Sequence, residues 1–211
     1  MAQLRSPSLA RWRRDAIRRM AASRVATLAL IARLSEADIQ QPRTQDQWSV
    51  KDVLVHLLTC DEETIRRFRL IARGQADRIQ WFDMAHANRF NAQSVARGRR
   101  IGLDAVLQRM ARTRAELIAR FEELPIEALR DPSHAYPVVE WLPAPGWSHE
   151  RHHIDGVRSW WRSERASASA ADRPVARPRR AAPRRSKARS APRTSGSRGS
   201  ASRRTRSRRA T

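Results

Sequence analysis

A chain of 211 residues with 43 Lys+Arg against 21 Asp+Glu, a net charge of +22, has room for one domain of ordinary size and an appendage. Its single cysteine, Cys60, excludes an internal disulfide framework and fits a reducing compartment, so a cytoplasmic location is expected. The most apolar stretch, residues 20–34, is interrupted by Arg24 and Arg33, which argues against a membrane-spanning helix, and the basic N-terminus lacks the apolar run of a secretory signal.

The body reads as helices. Trp12, Ile17, Met20, Val25, Leu28 and Ile31 recur at roughly helical spacing between Leu9 and Leu34, and residues 40–47 break the pattern. A second helix has a clear start: Ser49 is a natural N-cap, Asp52 stands where a capping box needs it, and Trp48 and Val53 are spaced for a hydrophobic staple. Its apolar positions run from Val50 to Ile71 and stop near Gly74. Residues 81–100 form a weaker helical stretch. A longer one follows, with Leu103, Val106, Leu107, Met110, Leu117 and Phe121 on one face. Five prolines between Pro125 and Pro145 punctuate a long connection, in which residues 136–141, "YPVVEW", are the only strand candidate. The last helix is expected from about Trp147 to Glu164. Long amphipathic helices without a sheet predict an all-α fold, a four-helix bundle over residues 1–165.

Residues 166–211 differ in kind. They hold no Leu, Ile, Met or aromatic residue, and carry 15 Lys+Arg against the single acid Asp172. Without apolar side chains to offset the entropy of ordering, this tail is expected to be disordered. Its charge suits non-specific contact with a nucleic-acid backbone, weakened by salt. The absence of interleaved aromatics gives no support for base stacking.

Chemistry concentrates in the last helix. His149-Glu150-Arg151-His152-His153 is a literal H-E-x-x-H, the signature of zinc proteases when it lies on a helix. The i,i+4 spacing puts His149 and His153 on one face, with Cβ atoms about 5–6 Å apart, a separation that two ligands of one metal can use or that can arise by chance. His56, on the second helix beside Cys60 and Glu63, sits at the edge of the apolar stripe, from which it could reach a bundle interior. Together His56, His149 and His153 could hold zinc, nickel or iron with a position left open. Cys60 is a further ligand or a small buried hydrophobe. His86, His134 and His152 read as surface or structural residues.

Two motifs, "WSVKDVLVHLLTCDEE" (48–63) and "SHERHHIDGVRSW" (148–160), in this order and about 90 residues apart, resemble the DinB-like four-helix bundle superfamily, which includes the amino-terminal domains of mycothiol-dependent isomerases. The resemblance covers about residues 9–164. It implies a divalent metal held by three histidines, at the positions of His56, His149 and His153, and leaves the catalytic residues unassigned.

Three readings follow. A metal-dependent transferase or isomerase would act on a small-molecule substrate with a low-molecular-weight thiol, and hydrolysis is its sibling. A zinc protease is disfavoured, because no histidine follows His153 and Glu164 lies too far along the same helix. A non-catalytic binding or dimerisation module with a nucleic-acid-contacting tail keeps the fold and drops the chemistry. The adjacent Trp160 and Trp161 cannot both face the core, and Arg151, Arg158 and residues of the 126–146 connection are candidates for the mouth of a site.

Overall fold

The computed structural model describes residues 8–43, 48–131 and 133–171. Seven α-helices are present among them: α1 (Leu9–Ile31), α2 (Glu36–Gln40), α3 (Val50–Ala72), α4 (Met84–Gly98), α5 (Leu103–Glu123), α6 (Val138–Trp141) and α7 (His149–Ala171). No strand occurs among the described residues. The four long helices α1, α3, α5 and α7 form the bundle. α3 packs most extensively on α5, α1 packs on α7 and α5, and α4 lies against α3. Residues 166–171, expected to begin the disordered tail, belong to α7, and the rest of the basic tail, from position 172 onward, lies outside the described residues.

The local signals act as their chemistry requires. At α3 the Ser49 side chain accepts from the Asp52 backbone N–H at 3.0 Å, and the Ser49 N–H donates to the Asp52 carboxylate at 3.1 Å, a complete capping box. This fixes where the helix begins, and hence which way His56 faces. α3 ends where Gly74 takes a left-handed φ of 68°. Gly98 has another role: a Cβ there would lie 2.2 Å from Val55 Cγ1, so only glycine lets α4 approach α3 this closely.

Several expectations need correction. The strand candidate 136–141 contains helix α6. Pro137 offers its carbonyl to the Glu140 and Trp141 amides, and Val138, Trp141 and Leu142, at i, i+3 and i+4, are buried. Val25, placed on the apolar face of the first helix, is 67% exposed, whereas Arg24 and Thr27 are buried. The last helix starts at His149 after a π-helical turn over Ala144–Ser148, and it continues past Glu164 to Ala171. Of the tandem tryptophans, Trp161 is buried and Trp160 only partly so.

The core has two apolar clusters. One gathers Leu30, Leu54, Leu58, Val106, Met110 and Val157; the other gathers Met20, Phe68, Leu117, Phe121, Leu129 and Leu142. On α1, α3 and α5 a buried charged residue falls between them: Arg24, Asp61 and Arg114. No helix among the described residues is long and apolar enough to cross a membrane.

Candidate metal centre

His56 lies two turns into α3 and is 3% exposed; His149 and His153 occupy the first two turns of α7 and are half-buried. The structure brings the three rings together. His149 Nε2 stands 3.2 Å from His56 Nε2 and 2.9 Å from His153 Nε2. Ring centroids are 4.9 Å apart for His56–His149 and for His56–His153, and 4.5 Å apart for His149–His153. Of the other histidines, His152 is exposed, His86 lies tilted against Phe82 with ring centroids 4.2 Å apart, and His134 sits 3.7 Å from Asp131.

This convergence is hard to explain by hydrogen bonding among the rings. A neutral imidazole nitrogen carries either one N–H or one in-plane lone pair. His149 Nε2 therefore makes at most one good hydrogen bond, yet it has two close nitrogen neighbours. A cation accepts lone pairs from all the rings at once. Two nitrogens each bonded to one ion at about 2.0–2.1 Å are no more than about 4.2 Å apart, and both separations lie inside that limit. Burial, reinforced by His149 and His153, lowers His56 from its ordinary value near 6.5 to about 3. Burial, then His152, lowers His149 as well. Both rings are therefore neutral at pH 7, the state that ligates a metal.

Cys60 belongs to the group of candidate metal ligands whose donor atoms converge among the described residues. Its Sγ lies 3.8 Å from His56 Nε2, and His56, Cys60 and His149 each offer a donor atom within 4.8 Å of the others. Burial and the adjacent Asp61 push the thiol up to about 12, so without an ion it is protonated at neutral pH.

The cluster opens on a cavity of about 220 Å³, whose wall includes Arg67, Phe82, Phe90 and Asn91 beside His56 and His149. The covering element is α4, which sequence reasoning did not connect to the site. From the 126–146 connection only Pro145 lines the cavity, while Arg151 and Arg158 line a separate groove between α1 and α7. Asn91 stands in the cavity wall beside His56, and its interaction with the ring favours the protonated imidazole, against the larger effect of burial. Such a partner fixes the tautomer and orientation of a ligating imidazole.

A family profile of the DinB superfamily matches residues 19–155, more than half of the chain and all of the cluster. The chain belongs to the DinB superfamily. Members of this superfamily typically bind a metal ion, and here the group of His56, Cys60 and His149 could hold one. No curated protein and no solved structure gives a significant match.

In this DinB-superfamily bundle the glutamate of the H-E-x-x-H string has a different task. Glu150 turns away from the histidines into the bundle axis. Its Oε1 accepts from Arg24 Nε at 2.8 Å and Thr27 Oγ1 at 2.7 Å; its Oε2 accepts from Arg114 Nη2 at 2.8 Å and Ser23 Oγ at 3.1 Å. Asp61 accepts from Arg24 Nη2 at 2.9 Å and from Arg114 Nη2 at 2.8 Å. Arg114 Nε also donates to Asp61 at 3.1 Å, and the Nη1 groups of Arg24 and Arg114 reach the carbonyls of Met110 at 3.0 Å and Gly146 at 2.6 Å, the latter supplied by the π turn. All four charged side chains are 5% exposed or less. Burial pushes Glu150 upward, but Arg24 and Arg114, together with hydrogen bonds from Arg24 and Thr27, outweigh it and hold the carboxyl below its ordinary value. An ionised carboxylate whose two oxygens each accept from a different buried guanidinium serves as a structural counter-ion.

Proposed function

We propose that this chain is a metal-dependent enzyme in which His56, His149 and His153 hold a divalent ion at the wall of the cavity beneath α4. The supporting observation is the placement of His149 Nε2 at 3.2 and 2.9 Å from two other imidazole nitrogens beside an open cavity. When bound, the ion supplies a Lewis-acidic position facing the cavity. Imidazole donors suit zinc, nickel or iron. Asn91 orients the His56 ring, and Phe82 and Phe90 form an apolar wall that limits water. Cys60 stays a neutral thiol while no ion is bound, and a small thiol entering the cavity is a source of nucleophile that does not depend on it. That favours a transferase or isomerase working with a low-molecular-weight thiol, and hydrolysis is the related alternative. The protease reading loses its base, because Glu150 is taken up by Arg24 and Arg114.

The test is a screen of metal-loaded protein with electrophilic substrates and a panel of low-molecular-weight thiols. Thiol-dependent turnover that disappears in His149→Ala is the expected result. Turnover that is equal in wild type and His149→Ala contradicts the proposal.

The tail carries a separable proposal, supported by its 15 Lys+Arg against one acid. Non-specific binding of duplex DNA by the full chain should weaken steeply with salt. Binding that is unchanged by salt, or equally strong after removal of residues 172–211, removes this role.

A further inference from the structure

His56, Cys60, Glu63, Thr64 and Arg67 follow one another along one face of α3, and all line the same cavity. Arg67 is three turns from His56, about 16 Å along the helix axis, and helical side chains lean toward the N-terminus, which brings its guanidinium back toward the histidines. Among the described residues, Glu63 and Arg67 are the only charged residues of the cavity wall. The Arg67 side chain is 13% exposed and held from two sides. Its Nε donates to Glu63 Oε1 at 3.0 Å, and its guanidinium carbon stands 4.7 Å from the Trp81 ring centre, 5.5 Å from that of Phe82 and 5.7 Å from that of Trp141.

The charge balance here is incomplete. The Glu63 carboxylate is shared, because Arg66 donates to it through Nε at 2.7 Å and Nη2 at 2.8 Å. One carboxylate thus serves two guanidiniums. Among the described residues, the two terminal nitrogens of Arg67 make no hydrogen bond. With Nε engaged, the end-on face of the guanidinium, its Nη1–Nη2 fork, remains open. This face matches a planar carboxylate bidentately. Thr64 cannot supply a further donor, since its hydroxyl already donates to the Cys60 carbonyl at 2.8 Å. A single open fork suits a single negative charge, and Phe82 and Phe90 suit a short apolar or aromatic body.

We propose that Arg67 is the anion anchor of the cavity, and that the ligand of this site is a small organic acid whose carboxylate sits on the Arg67 fork with its body extending toward His56 and His149. This rests on the cavity assigned above as the active site, but it can be tested apart from the metal. Isothermal titration of the full chain, stripped of metal by a chelator, with 3-phenylpropionate and with 3-phenylpropanol provides the test. The acid should bind at least tenfold tighter than the alcohol. Arg67→Gln should abolish this preference and leave the affinity for the alcohol unchanged, while Arg67→Lys, which keeps the charge without the fork, should retain part of it. No measurable binding of the acid, equal affinity for acid and alcohol, or a preference that survives in Arg67→Gln overturns the assignment. Cobalt(II) titration of the same proteins reports the histidine cluster alone: wild type and Arg67→Gln should take up the ion equally, and His149→Ala should not. An Arg67-dependent preference for the acid without cobalt uptake removes only the metal reading. Cobalt uptake without that preference removes only the anion site.

Discussion

Two polar clusters meet α7 at its first turn, and neighbouring residues feed them. His149 belongs to one and Glu150 to the other; on α3, Cys60 and Asp61 divide in the same way. The cluster inside the bundle is closed. Two arginines and two acids balance in charge, every carboxylate oxygen has a donor, and water is excluded. The cluster under α4 is open. His56 and His149 are neutral, the ring nitrogens crowd one another without enough hydrogen bonds to go round, and the cluster faces a cavity. A saturated buried network specifies packing, whereas an unsaturated one beside a cavity is suited to a ligand.

The largest expected effect breaks the closed cluster. Glu150→Ala leaves two buried guanidiniums against Asp61 alone and should cost about 3–5 kcal/mol in urea unfolding of the metal-stripped protein. A change below 1 kcal/mol, with activity lost, would instead mark Glu150 as a catalytic base. Next comes the wall of the open cluster. Gly98→Ala drives a methyl group into Val55 and should cost about 1–3 kcal/mol, part of it recovered in the double variant with Val55→Ala, where the remaining close approach is the 2.9 Å to the Cβ of residue 55. Full additivity of the two changes contradicts the close approach.

The pH response also separates the clusters. A histidine held near 3 when folded, but near 6.5 when unfolded, binds more protons in the unfolded state between these values. Its contribution is fully present above about pH 6.5 and is lost as pH falls toward 3. In metal-stripped protein the stability slope below pH 6.5 should approach about 1.4 kcal/mol per pH unit from His56, and His56→Asn should flatten it. An identical slope in both proteins between pH 6.5 and 5 rejects the neutral buried imidazole. The smallest effect is expected at the edge of the open cluster. Cys60→Ala should change metal affinity by less than the roughly tenfold that a supporting residue can cost. A larger loss, or a thiolate–cobalt charge-transfer band that vanishes in Cys60→Ala, makes Cys60 a ligand.

The open cluster was more legible in the sequence than the closed one. Ser49 and Asp52 mark the start of α3 through contacts within one turn, and the 149/153 spacing fixes a shared face without any tertiary knowledge. His56 could be offered as a partner of that pair from its place at the edge of the apolar stripe, and the family resemblance strengthened the link, since nothing local ties residue 56 to residue 149. The buried ion pairs went unread because their partners are 36 to 126 residues apart and arginine ordinarily signals solvent. A signal was nevertheless present. Arg24 stands in register with Met20, Thr27 and Ile31, and Arg114 with Met110, Leu117 and Phe121, so each charge interrupts an apolar stripe at helical spacing. The role of α4 had no such signature, because its approach depends on the absence of a side chain at Gly98.

The most direct test is elemental analysis of untagged protein purified without added metal, with wild type, His56→Ala and Glu150→Gln measured side by side. Close to one divalent ion per chain in wild type and in folded Glu150→Gln, with background levels in His56→Ala, is the result this account requires. Equal metal content in wild type and His56→Ala would contradict it.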